Sequence, residues 1–92
     1  MKMKPKPGDL VTLRAFNQLK GKSIMSIFVK VPKDVPGSHD FWKVVGNAYS
    51  GDIFIFLEDD QSIAWEDGGW LIQHPENGLR GWVSAKFFKR VR

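Results

Sequence analysis

Cysteine is absent from these 92 residues, which excludes disulfide frameworks, thiol nucleophiles and thiolate metal sites. Imidazole is scarce as well, with only His39 and His74, so no metal, redox centre or other cofactor is expected. No apolar run approaches the roughly 18 residues that a membrane span needs. The opening MKMKPKP leads into Gly8 and Asp9 instead of an apolar signal core, so the expected setting is cytoplasmic, with no membrane partner. The motifs GxGxxG, HxxxH, GxSxG and the phosphate loop are all missing. Glu58, Asp59, Asp60, Glu66 and Asp67 fall in or beside one predicted loop, where water surrounds carboxylates and leaves them without the contrasting environments of an acid and base pair. The chain is not expected to be an enzyme.

Charge of one sign is missing region by region. Residues 46–79 hold seven acids and no Lys or Arg, and residues 80–92 hold five bases and no acid. Residues 1–45 set nine bases against Asp9, Asp34 and Asp40, so the three blocks stand at +6, −7 and +5. A fold that joins the two ends places a basic surface beside an acidic one, and either can face a partner. The plainer reading is a solvated surface of mixed charge.

What the chain does contain is enough for one core. Hydrophobic residues make up 42%, with seven Phe, four Trp and one Tyr, the composition of a folded domain rather than a disordered segment. Met1 to Pro7, with two prolines among alternating lysines, reads as a basic flexible tail, and residues 8–92 as a single domain. Apolar residues alternate at period 2 in short runs bounded by Gly, Pro, Asp and Asn, and no segment sustains helical spacing over three turns. The pattern predicts an all-β chain with strands at Asp9 to Phe16, Ile24 to Val31, Phe41 to Ala48, Asp52 to Glu58, Trp70 to His74, Gly81 to Ser84 and Lys89 to Val91. PKDVPGSHD predicts a long loop between the second and third strands. PENG, residues 75–78, predicts a hairpin turn in which Asn77 and Gly78 tolerate positive φ.

From Tyr49 onward the signals follow a specific order: YSGDIFIFLEDD, the loop QSIAWEDGGW, the hairpin WLIQHPENGLRGWV, then SAKFF and KRV. This order resembles the second half of a Src-homology-3 domain, and GWVSAKFF resembles the bacterial form of that ending. The resemblance implies a small Src-homology-3-like (SH3-like) barrel with one 3₁₀ turn before the last strand. Thirty-four residues separate Phe16 from Gly51, which implies an inserted β-hairpin, Ile24 to Ala48. Asp52 to Glu58 is apolar on both faces, so that hairpin is expected to cover Ile53 and Ile55 while Phe54 and Phe56 enter the core.

The family binds extended, often proline-rich peptides in a groove of aromatic rings. By position, Trp82 matches the aromatic after the hairpin glycine, Ser84 the groove proline and Phe87 the tyrosine of the 3₁₀ turn, while Val83 and Phe88 match buried positions. Ser84 lacks the proline ring and Phe87 the phenol hydroxyl. Trp70 shares a face with Ile72, opposite Leu71 and Gln73, and a polar Gln73 favours Trp70 pointing inward. Trp65 either covers the insertion or, ringed by Asp59, Asp60, Glu66 and Asp67, meets a basic side chain of a partner. The implied function is a non-catalytic protein-interaction module of bacterial or bacteriophage type, with a protein or peptide partner. The alternative is a small barrel that binds nucleic acid through Lys20, Lys22, Arg80, Lys86, Lys89, Arg90 and Arg92, and PGDLVTLRAFNQLKGK resembles the opening of small barrels that touch RNA.

Overall fold

Alternation at period 2 gives every strand one face for the interior and one for water, and a sheet that curls around its own inner face buries a core without a second layer. The computed structural model describes residues 4–14, 24–31 and 41–91, positions 31 and 41 by their backbone alone. Within them run β1 (Leu10–Leu13), β2 (Ile24–Val31), β3 (Phe41–Tyr49), β4 (Ile53–Asp60), β5 (Gly69–Gln73), β6 (Arg80–Ser84), a 3₁₀ turn (Ala85–Phe87) and β7 (Phe88–Arg90). The chain is all-β. Every pairing is antiparallel, in the order β3-β2-β6-β5-β4-β1-β7, and the ladder stays open, with β3 and β7 at its ends. No helix among the described residues is long and apolar enough to cross a membrane.

One cluster draws on all seven strands: Val11 and Leu13, Ile27, Ala48, Phe54 and Phe56, Trp70 and Ile72, Val83 and Phe88, with Ala85 from the 3₁₀ turn. Phe54 meets Phe88 edge to face at 6.3 Å and Phe56 meets Trp70 likewise at 5.3 Å, the geometry that ring quadrupoles favour. Trp70 points inward, as the polar Gln73 on the opposite face foretells. Phe88 is fully buried and Phe87 half-buried.

The hairpin of β2 and β3 is present, but it lies elsewhere than over β4. Phe28 pairs with Trp82, so the hairpin extends the sheet in its own plane beyond β6. Ile53 consequently stays 37% exposed, next to a 45% exposed Leu10. Gly81 makes that docking possible. A Cβ there would stand 2.8 Å from the Phe28 carbonyl oxygen and would collide with Ile27. β4 also runs further than its composition predicts, because a bulge between Phe56 and Glu58 lets Asp59 and Asp60 pair with Trp70 and Gly69.

PENG closes β5 onto β6 through Gly78 at φ 72°, with His74 N–H bonded to the Leu79 carbonyl at 2.7 Å. His74 has a structural role: its ring packs on Phe54, and Nδ1 accepts the Glu76 N–H. At the other end, Pro5 is buried and Lys4 reaches Asp59 at 3.3 Å, so the chain is held to the globule from Lys4 onward. The expected extension of β1 to Phe16, the loop PKDVPGSHD and His39 lie outside the described residues.

Candidate functional site

The outward positions of β2, β3 and β6 carry rings where water-facing strands usually carry polar groups. Trp82 alternates with buried Gly81 and Val83, and its partner Phe28 shares the outward face. Trp42 lies across from Lys30 on β3, and Trp65 comes from the β4–β5 loop to complete a cluster. Trp65 stands 4.7 Å from Trp42 and 5.7 Å from Phe28, and Phe28 stands 6.4 Å from Trp42. Lys30 Nζ lies over both Trp42 and Trp82, at 5.7 and 5.8 Å, and reaches Asp60 at 3.9 Å. This cation and its aromatic faces attract each other in place.

Trp65 depends on how its loop is held. Ile63 is buried and anchors the loop against Gly69, where a Cβ would come within 2.6 Å of the Ile63 side chain. Asp67 and Gly68 both adopt positive φ, at 65° and 79°, and Gly68 N–H returns to the Trp65 carbonyl at 2.9 Å. The Gly68 carbonyl then accepts the Ala85 N–H at 3.0 Å, tying the loop to the 3₁₀ turn.

Between this loop, β2 and the β6–3₁₀ junction lies a groove of about 420 Å³. Met25 and Phe28 form one wall, Ala64, Trp65 and Glu66 the second, and Ser84, Lys86 and Phe87 the third. Lys86 Nζ donates to Glu66 Oε2 at 2.7 Å across it and lies 5.8 Å from the Phe87 ring. The hydrogen bond and charge of Glu66 hold the Lys86 ammonium above its ordinary pKa.

Of the eight residues expected to meet a partner, the groove unites Trp65, Glu66, Ser84 and Phe87. Trp82 lies on the outward face beside Phe28, outside the groove lining. The acids do not ring Trp65 as one loop: Asp59 and Asp60 sit on β4, where each has its own partner. Asp59 accepts from Lys4 and Gln61. Asp60 accepts from the Ser62 hydroxyl and backbone N–H, which hold its carboxyl below the usual range. Asp67 turns its carbonyl to Gln61 at 3.2 Å. Met25, Phe28 and Trp42 are site residues that the family resemblance does not supply, because they belong to the insertion. For Phe28 the signal is a ring among polar neighbours, since it alternates with Ser26 and Lys30 on one face of β2.

Of the basic residues expected to touch nucleic acid, Lys89 and Arg90 border one cavity together with Lys4 and Arg14. Arg80 opens β6 and bonds to Gln73, and Lys86 follows the strand's far end, more than about 13 Å away along the chain. Lys20, Lys22 and Arg92 lie outside the described residues. Comparison with protein-family models, curated proteins and solved structures finds no match to this chain.

Proposed function

We propose that the chain is a non-catalytic protein-interaction module of Src-homology-3 type that takes an extended peptide in the groove between Phe28, Trp65 and Phe87. The groove carries this reading, because it sets Ser84 and Phe87, two of the three positions matched to the family's groove, against Phe28 and Trp65, while the third, Trp82, lies outside it. The strand order around β4, β5 and β6, the 3₁₀ turn after Ser84 and the closing β7 support the same assignment. Trp65 supplies the ring that Trp70, turned into the core, does not. A peptide already in polyproline conformation loses little entropy on docking against such rigid rings. Glu66 and Lys86, joined at 2.7 Å across the groove and both exposed, part to admit the peptide and then face its charged groups. A cytoplasmic bacterial or bacteriophage setting belongs to the same reading, supported by the resemblance of GWVSAKFF to the bacterial form of the ending.

The test is capture of partners from a nuclease-treated bacterial lysate with the native chain and with Phe87→Ala as baits, followed by titration of a short peptide from the captured protein. Binding to the native chain that falls at least about tenfold in Phe87→Ala, with the fold retained, is the expected result. Equal binding by both baits, or recovery of nucleic acid alone before nuclease treatment, sinks it. A nucleic-acid reading is favoured by one observation, the meeting of bases from both chain ends around Arg14 and Lys89. It predicts an affinity that falls linearly with log salt, with a slope of about 0.9 per phosphate contact on duplex DNA.

A further inference from the structure

The 3₁₀ turn borders a second concavity, of about 360 Å³, within the size range of small-molecule sites. Its floor is Trp70, Ala85 and Phe88, and its rim carries Lys4, Arg14, Lys89 and Arg90 against a single carboxylate, Asp67. Lys4 and Arg90 have their own carboxylates, so Arg14 and Lys89 are the two cations at this apolar floor that have no ion pair among the described residues.

Arg14 is the most firmly placed of the four. Its backbone N–H donates to the Phe87 carbonyl at 2.7 Å and its Nε to the Phe88 carbonyl at 3.1 Å. Among the described residues no group takes its two terminal amino groups, which are the pair that engages a carboxylate or phosphate side by side. Lys89 likewise has no ion pair among the described residues. Lys4 and Arg90 pair with Asp59 and Asp9 at 3.3 and 3.6 Å, both at exposed positions. Exposed pairs contribute little, so these two side chains turn toward a ligand at small cost.

We propose that this cavity binds a small organic anion, a carboxylate or a phosphate ester on a flat apolar body. The head lies on Arg14 and Lys89 and the body against Trp70 and Ala85. The site is separate from the peptide groove and does not depend on it. Its chemistry admits two sources, an aromatic carboxylate and a nucleotide, which the test separates.

The isotope-labelled full chain is titrated with inorganic phosphate, 2-naphthoate and adenosine monophosphate while the Trp70 indole and Lys89 amide resonances are followed. One of the two organic anions is expected to saturate both resonances at least about tenfold more tightly than inorganic phosphate, a difference of about 1.4 kcal/mol. Saturation by naphthoate alone assigns a carboxylate ligand, and saturation by the nucleotide alone a phosphate ester. Arg14→Gln is expected to weaken that binding about tenfold, and Arg80→Gln to leave it unchanged. Should Arg14→Gln disturb the 3₁₀ turn, Lys89→Gln, which breaks no side-chain bond among the described residues, gives the same reading. The proposal is overturned if neither organic anion saturates, if inorganic phosphate binds as tightly as both, or if Lys89→Gln and Arg80→Gln behave alike.

Discussion

Two sets of rings occupy opposite faces of the same curled sheet. Phe54, Phe56, Trp70 and Phe88 point inward and are almost wholly removed from water, whereas Phe28, Trp42, Trp65 and Trp82 lie on the outward side and stay half-buried, and Phe87, also half-buried, packs against the core from the 3₁₀ turn. The inner set touches residues from every strand. The outer set clusters on the β2–β3 hairpin, the β4–β5 loop and β6, and two of its rings, Phe28 and Trp65, border the groove. The difference teaches that a single-residue step along a strand separates a ring sealed in the core from one left on the water-facing side.

The sharpest way to break this division is to remove an inner ring. Phe54→Ala takes away a side chain with no exposed surface, and the expected cost is about 3–5 kcal/mol, a large part of the stability of a domain this small. Thermal melts should show Phe54→Ala unfolded or melting some tens of degrees early. A native-like melt would mean that the inner set does not hold the fold.

Next in size is Gly81→Ala. The added methyl meets the Phe28 carbonyl and Ile27, so the hairpin must move away from β6, at a cost of about 1–3 kcal/mol. Near-ultraviolet circular dichroism from the Phe28, Trp42 and Trp65 cluster should weaken along with the melting temperature. An unchanged aromatic signal would show that the outer set does not depend on the contact between β2 and β6.

Trp65→Ala tests the outer set directly. Its fold cost is expected at about 1–2 kcal/mol, well below that of Phe54→Ala, while peptide binding in the groove falls about tenfold or more. If Trp65→Ala destabilises as much as Phe54→Ala, the ring belongs to the core and the division fails.

The smallest effects lie in pH. Asp60 is held below the usual carboxylate range by Ser62, so its contribution is complete at neutral pH and is lost only as pH falls below about 4 and through the depressed folded value. Lys86 is raised by Glu66, so its contribution is complete at neutral pH and is lost as pH rises above about 10.4 and through the raised folded value. Stability differences between the native chain and Ser62→Ala should therefore close on the acid side, and those with Glu66→Gln on the alkaline side. A Ser62→Ala difference that persists at low pH would assign that bond to packing rather than to charge.

Much of the inner set was legible from alternation alone. Phe54, Phe56 and Val83 face inward as their spacing predicts, β2 runs from Ile24 to Val31 as expected, and Ala85–Phe87 form the 3₁₀ turn that the family resemblance implies. These features are local, set by side-chain period and turn chemistry within a few residues. The outer site was only half legible. Ser84 and Phe87 came from the family resemblance, but Met25 and Phe28 became groove residues only because β2 docks on β6, a contact between positions far apart in the chain. The acids of β4 were misplaced as a loop for the same reason, since the bulge after Phe56 that carries Asp59 and Asp60 into the ladder is a property of the pair β4–β5 and not of β4.

The sequence by itself determined an all-β domain without thiol chemistry, the face that each ring of β4, β5 and β6 would present, and the turns that join them, because period and turn chemistry act over neighbouring residues. Tertiary structure alone decided that the hairpin continues the sheet instead of covering Ile53, that Trp65 packs on Trp42, and that Arg14 and Lys89 line one cavity with Trp70. Each of these depends on which strand edges find one another, and that choice is made by the packing of the whole core, with glycine at Gly81 leaving room for the contact.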